Sequence, residues 1–233
     1  MSIINSKEEI NRTSQAVYDA FNTFIFSNDT KVLSKLMFKA KFLDLTKDVC
    51  GDILELGVFK GSGLLGWLKL RKIFYPNSFK KIIGFDMFNS EELIKILDGY
   101  DREYMSKLFS NRNFIQEDNY VEYLKKSLFN AGFDESNFEL IKGDVSQTTK
   151  DFHNERPGVK ISILYMDLDL DKATYDSLSN LWERVSRGGY VILDEYSYHQ
   201  WSETNGADRF ANERGLKIYP LDCSSPTAYI KKE

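Results

Sequence analysis

Hydrophobic residues recur at two different spacings along the chain, and the change between them near residue 50 divides it into two parts. Residues 1–49 carry apolar side chains at helical spacing. Ser6 and Glu9 have the spacing of a capping box, which starts a helix. The first apolar stripe consists of Ile10, Val17, Phe21, Phe24 and Ile25, and a second runs from Val32 to Leu45. We therefore predict an N-terminal helical segment over residues 1–49.

From residue 52 onward, short apolar stretches alternate with longer amphipathic ones. The short stretches predict strands at 52–56, 81–86, 138–142, 161–166 and 190–193, and two more at 216–221 and 227–231. The longer stretches predict helices at 64–72, 120–130, 173–184 and 207–214. This alternation is typical of an α/β fold with a mostly parallel, seven-stranded sheet, helices on both faces and an antiparallel C-terminal edge.

A glycine pair and a polar stretch interrupt this alternation. Gly188 and Gly189 follow the predicted helix 173–184, and we interpret them as its stop. Residues 87–118 are polar and weakly periodic, so we predict an excursion from the sheet that serves as a lid. Residues 50–233 then form one domain, and the N-terminal segment is a second covering element.

Composition and charge argue against several functions. Hydrophobic residues make up 42% and charged residues 28% of the 233 residues, an ordinary balance for a globular protein. The net charge of −4, without a lysine or arginine cluster, argues against nucleic acid as a partner. No apolar run approaches the roughly 20 residues needed to span a bilayer, so we expect no membrane partner. Cys50 and Cys223 lie far apart in the sequence, which is typical of a reduced, cytoplasmic protein.

Four of the predicted strands end on an acidic residue or a glycine. Glu55 and Gly57 end the first strand, Asp86 the second, Asp167 the fourth and Asp194 the fifth. Because ligands in such sheets bind beyond the carboxyl ends of the strands, we expect these residues to surround one crevice.

Residues 55–63 have the composition of a ligand-binding turn between a strand and a helix. Their pattern Gly-x-x-x-Gly-x-Gly departs from the dinucleotide fingerprint Gly-x-Gly-x-x-Gly. The preceding acid, Glu55, suits a cationic amino-acid group better than a pyrophosphate, although a plain glycine turn is an alternative. Asp86 lies 29 residues beyond Gly57 and can accept both hydroxyls of a ribose. Gly143-Asp144, after the third strand, would hold an adenine edge, or forms an ordinary turn.

A second group of acids lies in the loops after the fourth and fifth strands. Asp167, Asp169 and Asp171 follow one strand, and Asp194 and Glu195 follow the next. Carboxylates that lie close together raise each other's pKa unless a cation neutralises them, and oxygen-only ligands favour a hard ion such as Mg²⁺. Solvated loop acids are the alternative.

Six segments of the chain together resemble one enzyme family. In order they are GDILELGVFKGSG, IIGFDMF, LIKGDVSQT, YMDLDLDKATYDSL, RGGYVILDEY and the tail from about residue 201 to 232. From about residue 32 to the C-terminus, the chain resembles macrocin O-methyltransferase-like enzymes. The resemblance implies the class I methyltransferase (Rossmann-like) fold, S-adenosylmethionine as the methyl donor, and metal-assisted methylation of a hydroxyl, commonly on a sugar.

The resemblance also implies roles for particular residues. Asp167, Asp194 and Glu195 match the family's metal ligands, and Asp169 matches a proposed general base. Glu195 departs from the usual Asp or Asn, which puts its place among the metal ligands in doubt. His199 is a rival base, because an imidazole pKa of about 6.5 suits proton abstraction. The expected cofactor contacts are Glu55, Gly57, Gly61, Ser62, Asp86, Met87, Gly143, Asp144 and Asp167.

The patterns and the resemblance together predict an O-methyltransferase that depends on S-adenosylmethionine and Mg²⁺ and acts on a hydroxyl of a sugar or sugar-containing small molecule. A catechol-like aromatic acceptor is one alternative, and a non-catalytic S-adenosylmethionine-binding protein is another. Tyr196, Tyr198 and Trp201 either stack on the acceptor or cover the sheet. The oligomeric state stays open, with a homo-oligomer among the alternatives.

Overall fold

The computed structural model describes residues 5–112, 116 and 119–233, which form a seven-stranded sheet with helices packed around it. The strands are β1 (Asp52–Leu56), β2 (Ile82–Asp86), β3 (Phe138–Lys142), β4 (Ile161–Met166), β5 (Val185–Leu193), β6 (Tyr219–Pro220) and β7 (Ala228–Lys231). The helices are α1 (Asn5–Ile25), α2 (Lys31–Leu45), α3 (Ser62–Phe74), α4 (Ser90–Ile96), α5 (Gly99–Arg112), α6 (Tyr120–Asn130), α7 (Val145–Glu155), α8 (Asp171–Leu181) and α9 (Glu203–Arg214), with a 3₁₀ turn at Trp182–Arg184. Within these described ranges, no helix has the length and apolar character that crossing a membrane requires.

The strand order is β3-β2-β1-β4-β5-β7-β6, with β1 to β5 parallel and β7 antiparallel to both of its neighbours. This order confirms the predicted sheet, including its antiparallel C-terminal edge. The chain winds outward from β1 to β3 on one side of the sheet and from β4 onward on the other. The winding direction therefore switches between β1 and β4, where open α/β sheets bind their ligands.

The register of the parallel strands aligns their carboxyl ends. Leu56 of β1 is paired with Phe85 of β2 and with Met166 of β4, and Met166 is paired with Leu193 of β5. The residues that follow these positions therefore lie along the same edge of the sheet. They are Gly57, Asp86, Asp167 and Asp194.

Alternate strand residues enter two separate hydrophobic cores, one on each face of the sheet. In β1, Leu54 and Leu56 belong to the first core and Ile53 belongs to the second. Helices α7, α8 and α9 close the first core through Phe152, Leu178 and Phe210, among others. Helices α2, α3 and α6 close the second through Phe42, Trp67 and Leu124, among others. Because both faces are covered, the central strands are mostly apolar, and Glu55 is an exception inside β1.

Helix α2 is an integral part of the second core. Its C-terminal half buries Phe42 and Leu43. It also packs closely on α3, because a Cβ added to Gly66 of α3 would lie 3.2 Å from Leu36. Ser34 of α2 donates a hydrogen bond of 2.8 Å to the Ser225 carbonyl in the C-terminal segment. The position of α2 is therefore set by contacts at both of its ends.

The prediction that Gly188 and Gly189 stop a helix is wrong, because both lie inside β5. Helix α8 ends earlier, at Leu181, and a 3₁₀ turn leads directly into the strand. The pairing between β4 and β5 shifts register at these glycines, and Gly188 has φ +80°. A Cβ on Gly189 would lie 2.9 Å from the Ser162 carbonyl oxygen. The glycine pair thus forms a bulge in a buried strand.

The excursion at residues 87–118 contains two helices, α4 and α5, that its weak periodicity does not predict. Met105 and Phe109 of α5 form a small hydrophobic cluster with Leu170, from the loop after β4. Packing on this loop stabilises a helix whose sequence has little amphipathic character of its own. Helix α7 is also absent from the sequence-based prediction. The rest of the predicted excursion, residues 113–115, 117 and 118, lies outside the described residues.

Helix α9 lies so close to α8 at Gly206 that a methyl group does not fit there. A Cβ on Gly206 would lie 2.2 Å from the Asp171 carbonyl oxygen. We expect Gly206→Ala to lower the free energy of unfolding by about 1–3 kcal/mol, because the two helices must separate. Gly158→Ala is the control, since a Cβ there meets nothing within 4 Å. Urea denaturation measures both, and equal losses of stability in the two variants would contradict this packing.

Candidate active site

The loops after β1, β2, β4 and β5 meet at one edge of the sheet. The Asp167 N–H donates to the Leu56 carbonyl at 2.8 Å, and the Asp194 N–H donates to the Met166 carbonyl at 3.0 Å. The hydrogen-bond ladder thus continues one residue past these strands and holds the acids side by side. The acids whose charges act on one another here are Glu55, Asp167, Asp169, Asp194 and Glu195.

The glycine-rich loop 57–63 packs tightly against two of these acids. Gly57 has φ +91°, and a Cβ there would lie 1.8 Å from the Asp167 carbonyl oxygen. A Cβ on Gly63 would lie 2.3 Å from Glu55 Oε1. Glycine is required at position 57, whereas a side chain at position 63 would displace the Glu55 carboxylate, so the glycine spacing reflects how closely the loop packs.

The same loop leads into the N-terminus of α3. Gly61 has φ +88°, and a Cβ there would lie 2.4 Å from Leu124 of α6. Ser62 is the exposed first residue of the helix. The N–H groups of a first helical turn have no partner within the helix, so this turn can donate hydrogen bonds to a ligand.

Asp86 connects the glycine-rich loop to the end of β2. Its Oδ2 accepts a hydrogen bond from the Phe59 N–H and its Oδ1 accepts one from the Phe88 N–H, both at 2.8 Å. Both donors have φ +49°, so Asp86 stabilises two unfavourable backbone conformations. Burial raises the pKa of Asp86. Each carboxylate oxygen has a second lone pair, so the contacts are compatible with the predicted ribose contact. Met87, the next residue, is half-buried.

Gly143 and Asp144 lie beside Asp86, at the end of β3. The Gly143 N–H donates to the Asp86 carbonyl at 3.0 Å, and Gly143 has φ +138°. Asp144 is exposed and caps α7 by accepting a hydrogen bond of 2.9 Å from the Ser146 N–H. The structure therefore places both residues next to the predicted ribose contact, and Asp144 also has a local structural role.

Three lysines of α2 pair with the strand-end acids, and the sequence analysis did not identify them. Lys31 pairs with Glu195, Lys35 with both Asp167 and Asp194, and Lys39 with Glu55. Residues four apart lie on the same face of a helix, so the three ammonium groups form a row. The exposed fraction of their side chains falls from 43% at Lys31 to 26% at Lys35 and 3% at Lys39. We call this row the lysine stripe.

The pair between Lys39 and Glu55 is the most deeply buried part of the lysine stripe. Lys39 Nζ lies 2.6 Å from Glu55 Oε2. It also lies 3.9 Å from the ring centroid of Tyr165 and 4.5 Å from that of Trp67, at cation–π distance. Burial lowers the pKa of Lys39, although the charge of Glu55 opposes this effect. The charge of Lys39 therefore depends on Glu55.

Asp194 has a polar partner for each carboxylate oxygen. Its Oδ1 accepts hydrogen bonds from the Tyr165 hydroxyl and, at 2.8 Å, from Ser225 Oγ. Its Oδ2 forms an ion pair of 2.5 Å with Lys35 Nζ. Burial alone would lower the pKa of Lys35. The charges of Asp167 and Asp194 have the larger, opposite effect, so the pKa of Lys35 lies above its usual value.

Asp167 and Asp169 have raised pKa values, first because of burial and then because of the neighbouring acids. Burial, together with the charge of Asp194, raises the pKa of Asp167 to about 7. Burial and the neighbouring acids raise the pKa of Asp169 well above its usual value. Within the described residues, Asp169 Oδ1 is buried and has no hydrogen-bond partner. Asp169 also has φ +65°, a conformation that holds its side chain at this edge under backbone strain.

Glu203 is a second acid that the sequence analysis missed. It is fully buried at the start of α9, and its Oε2 accepts a hydrogen bond of 3.4 Å from the Asp169 N–H. Burial and the charge of Asp169 raise the pKa of Glu203 well above its usual value. An acid in the first turn of a helix is ordinarily a solvated residue. The sequence therefore carries no signal that sets Glu203 apart.

The three predicted metal ligands lie close together, but their cationic partners are lysines. Glu195 pairs with Lys31, and Lys35 bridges Asp167 and Asp194. Among the residues that the structure describes, no three acidic, histidine or cysteine side chains are arranged to hold a metal ion. A divalent cation therefore does not fit these carboxylates while α2 keeps this position.

His199 and the neighbouring aromatic residues lie in the turn after β5. His199 is exposed, with its ring centroid 5.2 Å from that of Tyr198. Trp201 packs edge-on against Tyr104 of α5, with centroids 4.8 Å apart. The Tyr104 hydroxyl donates to Gln200 Oε1 at 2.9 Å. These contacts join the 87–118 excursion to the loop that follows Asp194.

Comparison with known proteins relates this chain to one methyltransferase family. The family model described as Macrocin-O-methyltransferase (TylF) matches residues 32–225. The chain is similar to a demethyldecarbamoylnovobiocin O-methyltransferase of Streptomyces niveus, with 28% identity over 162 residues, 64% of this chain and 54% of that protein. It is also similar to an 8-demethyl-8-(2,3-dimethoxy-alpha-L-rhamnosyl)-tetracenomycin-C 4'-O-methyltransferase of Streptomyces olivaceus, with 26% identity over 157 residues, 66% of this chain and 56% of that protein. These matches span about half the length of each relative.

One solved structure has the same architecture over nearly the whole chain. It is the crystal structure of CalS11, a calicheamicin methyltransferase, with a TM-score of 0.74 and 21% identity. The match covers 99% of this chain and 94% of that one. At this level of identity the likeness shows the fold.

The buried pair of Lys39 and Glu55 gives a direct test of this geometry. We expect Lys39→Met to lower the free energy of unfolding by about 3–5 kcal/mol, because it leaves a buried carboxylate without its cation. The double variant Lys39→Met, Glu55→Gln should recover much of that loss. Lys41→Met, on the exposed side of α2, is the control. Urea denaturation measures all three, and equal losses from Lys39→Met and Lys41→Met would contradict the pairing.

Proposed function

The chain belongs to the macrocin O-methyltransferase (TylF) family, and on that premise we propose that it methylates a hydroxyl of a sugar or sugar-containing small molecule, with S-adenosylmethionine as the donor. The observation that carries this proposal is the row of acids at the β1/β4 switch point. One relative is named for a compound that bears a rhamnosyl group, which supports a sugar acceptor.

The residues at the carboxyl edge suit a cationic donor. S-adenosylmethionine carries an ammonium and a sulfonium group, and acids line the edge that would receive them. Lys39 binds Glu55 Oε2, and Oε1 lies beside Gly63 at the start of α3, where the donor's amino-acid group would bind. Asp86 would accept the ribose hydroxyls. The full set proposed to hold the donor is Glu55, Gly57, Gly61, Ser62, Asp86, Met87, Gly143, Asp144 and Asp167.

Asp169 is the proposed general base. Its Oδ1 has no hydrogen-bond partner within the described residues, and the Glu203 contact fixes its backbone. In the reaction the S–CH₃ bond breaks as the O–CH₃ bond forms, S-adenosylhomocysteine leaves, and the acceptor's proton passes to Asp169. Methyl transfer from a sulfonium needs alignment, deprotonation and exclusion of water, all of which the protein can supply. His199 is the other candidate base, but it lies on an exposed turn.

The Mg²⁺ expected from the family resemblance has no part in this scheme. A metal ion could reach Asp167, Asp194 and Glu195 if the lysines of α2 moved away.

Two covering elements would shield the reaction from water. Helix α2 lies over the acids through the lysine stripe, and the excursion with α4 and α5 contacts the loop after β4. Lids of this kind exclude water and select the acceptor. We propose both roles for the described parts of residues 1–45 and 87–118.

Binding of the donor tests the first part of the proposal. We expect calorimetry to show binding of S-adenosylmethionine and S-adenosylhomocysteine and no binding of NAD. Asp86→Asn should weaken donor binding by about 1.5–3 kcal/mol, roughly 10- to 150-fold, because it removes a charged hydrogen-bond acceptor. Asp134→Asn, in an exposed loop before β3, is the control. Tighter binding of NAD than of S-adenosylmethionine would refute the assignment.

The choice of base is tested by turnover. We expect Asp169→Asn to lower kcat by roughly 10²–10⁴-fold with unchanged donor affinity, because a general base contributes about that much. His199→Gln should leave kcat unchanged. The assay follows S-adenosylhomocysteine release with rhamnosyl and other deoxysugar acceptors, and with catechols as the alternative class. The reverse pattern in the two variants would assign the base to His199, and turnover of catechols alone would refute the sugar acceptor.

A further inference from the structure

Asp194 has no carboxylate oxygen left for a metal ion, whereas Glu195 keeps one, since its Oε2 is buried without a hydrogen-bond partner among the described residues. Asp194 is fully buried, and Tyr165, Ser225 and Lys35 are the partners of its two oxygens. Glu195 is nearly buried and pairs with Lys31 through Oε1. A metal ligand needs a lone pair that points at the ion. At Asp194, that would require the loss of an existing contact.

Lys35 Nζ lies at the position that a shared metal ion would need. It is 3.2 Å from Asp167 Oδ2 and 2.5 Å from Asp194 Oδ2, so it bridges the ends of β4 and β5. Mg²⁺ binds carboxylate oxygens at about 2.0–2.1 Å. An ammonium group and a metal ion cannot both lie between the same two oxygens, because of their size and their like charge.

The charges of the lysines match what a metal ion would supply. Lys31 and Lys35 together carry the charge of one divalent cation, and they face the same three carboxylates: Asp167, Asp194 and Glu195. Close carboxylates require such neutralisation. The site therefore has its counter-charge from within the chain.

The lysines are held in place by the fold. Lys31 and Lys35 lie one helical turn apart on α2. The helix is held by Phe42 and Leu43 in the core and by the hydrogen bond from Ser34 to Ser225. Ser225 also binds Asp194, so the same segment positions both the acid and the helix that neutralises it. The fold therefore fixes the positions of Lys31 and Lys35 relative to the acids with which they pair.

We propose that Lys35, assisted by Lys31, takes the place of a divalent cation at Asp167, Asp194 and Glu195, so that this enzyme transfers methyl groups without a bound metal. Lys35 acts as a positioning residue, which holds the two aspartates together at the ends of β4 and β5. The inference rests on the proposed function for the reaction itself, but the absence of a metal site can be tested without an acceptor.

The test measures Mn²⁺ binding to the 233-residue chain by electron paramagnetic resonance. Wild-type protein, with and without saturating S-adenosylhomocysteine, should show no stoichiometric Mn²⁺ site, and any turnover should be equal in EDTA and in Mg²⁺. Lys35→Ala should acquire one Mn²⁺ site, with affinity higher by roughly tenfold or more, because a competing positive charge is removed. Adding Asp167→Asn to Lys35→Ala should abolish that site.

Two further variants make the result specific. Lys35→Arg keeps the positive charge and should bind Mn²⁺ no better than the wild-type protein. Lys41→Ala removes an exposed lysine of the same helix and should also leave Mn²⁺ binding unchanged. Thermal melting of each variant establishes that it is folded.

A stoichiometric Mn²⁺ site in the wild-type protein, with or without S-adenosylhomocysteine, would overturn the inference, and this arm does not depend on the folding of any variant. A folded Lys35→Ala variant that acquires no site would overturn it as well. Loss of wild-type turnover in EDTA, restored by Mg²⁺, would do the same. Absence of methyl transfer under every condition would refute the proposed function, and the Mn²⁺ titrations would still decide this inference.

Discussion

The concentration of negative charge at the carboxyl ends of the parallel strands is the constraint on which the site depends. Parallel pairing aligns β1, β4 and β5, so that Asp167 and Asp194 follow their strands at the same level. Glu55 and Glu195 lie beside them. So many carboxylates in a buried edge are unfavourable without compensating positive charge. The lysine stripe of α2 supplies that charge to Glu55, Asp167, Asp194 and Glu195, which is why the position of this helix matters to these four acids.

This constraint connects the fold to the proposed chemistry. The buried pair of Lys39 and Glu55 lies under the glycine-rich loop, where the methyl donor is proposed to bind. Lys35 lies one turn further along, between the acids of β4 and β5. Asp169 stands apart, since no lysine of the stripe pairs with it among the described contacts. An acid in negative surroundings without a cationic partner has a high proton affinity, which suits the proposed base.

Much of the fold follows from local patterns in the sequence. Alternation between short apolar stretches and amphipathic ones predicts each of the strands in the described part of the chain, and the predicted 120–130 helix matches α6. The predictions fail where packing against residues distant in the sequence overrides the local pattern. Gly188 and Gly189 resemble a helix stop, but they form a bulge because β5 must pass close to Ser162. Helix α5 lacks a strong periodicity and depends on packing against Leu170.

The sequence by itself determined that acids and glycines lie at the ends of the strands. The end of a strand and the need for a tight turn are both properties of the local sequence. Those patterns also indicated that the acids share one crevice, since parallel strands end at one edge. The tertiary structure decided what neutralises them. Lys31, Lys35 and Lys39 have a spacing that shows a shared helix face, but many surface helices have such lysines. The groups that this helix face contacts are set by the packing of α2 on α3 and on the C-terminal segment. The C-terminal segment is far from α2 in the sequence. The buried environment of Glu203 was decided in the same way, by the packing of α9 beneath Asp169.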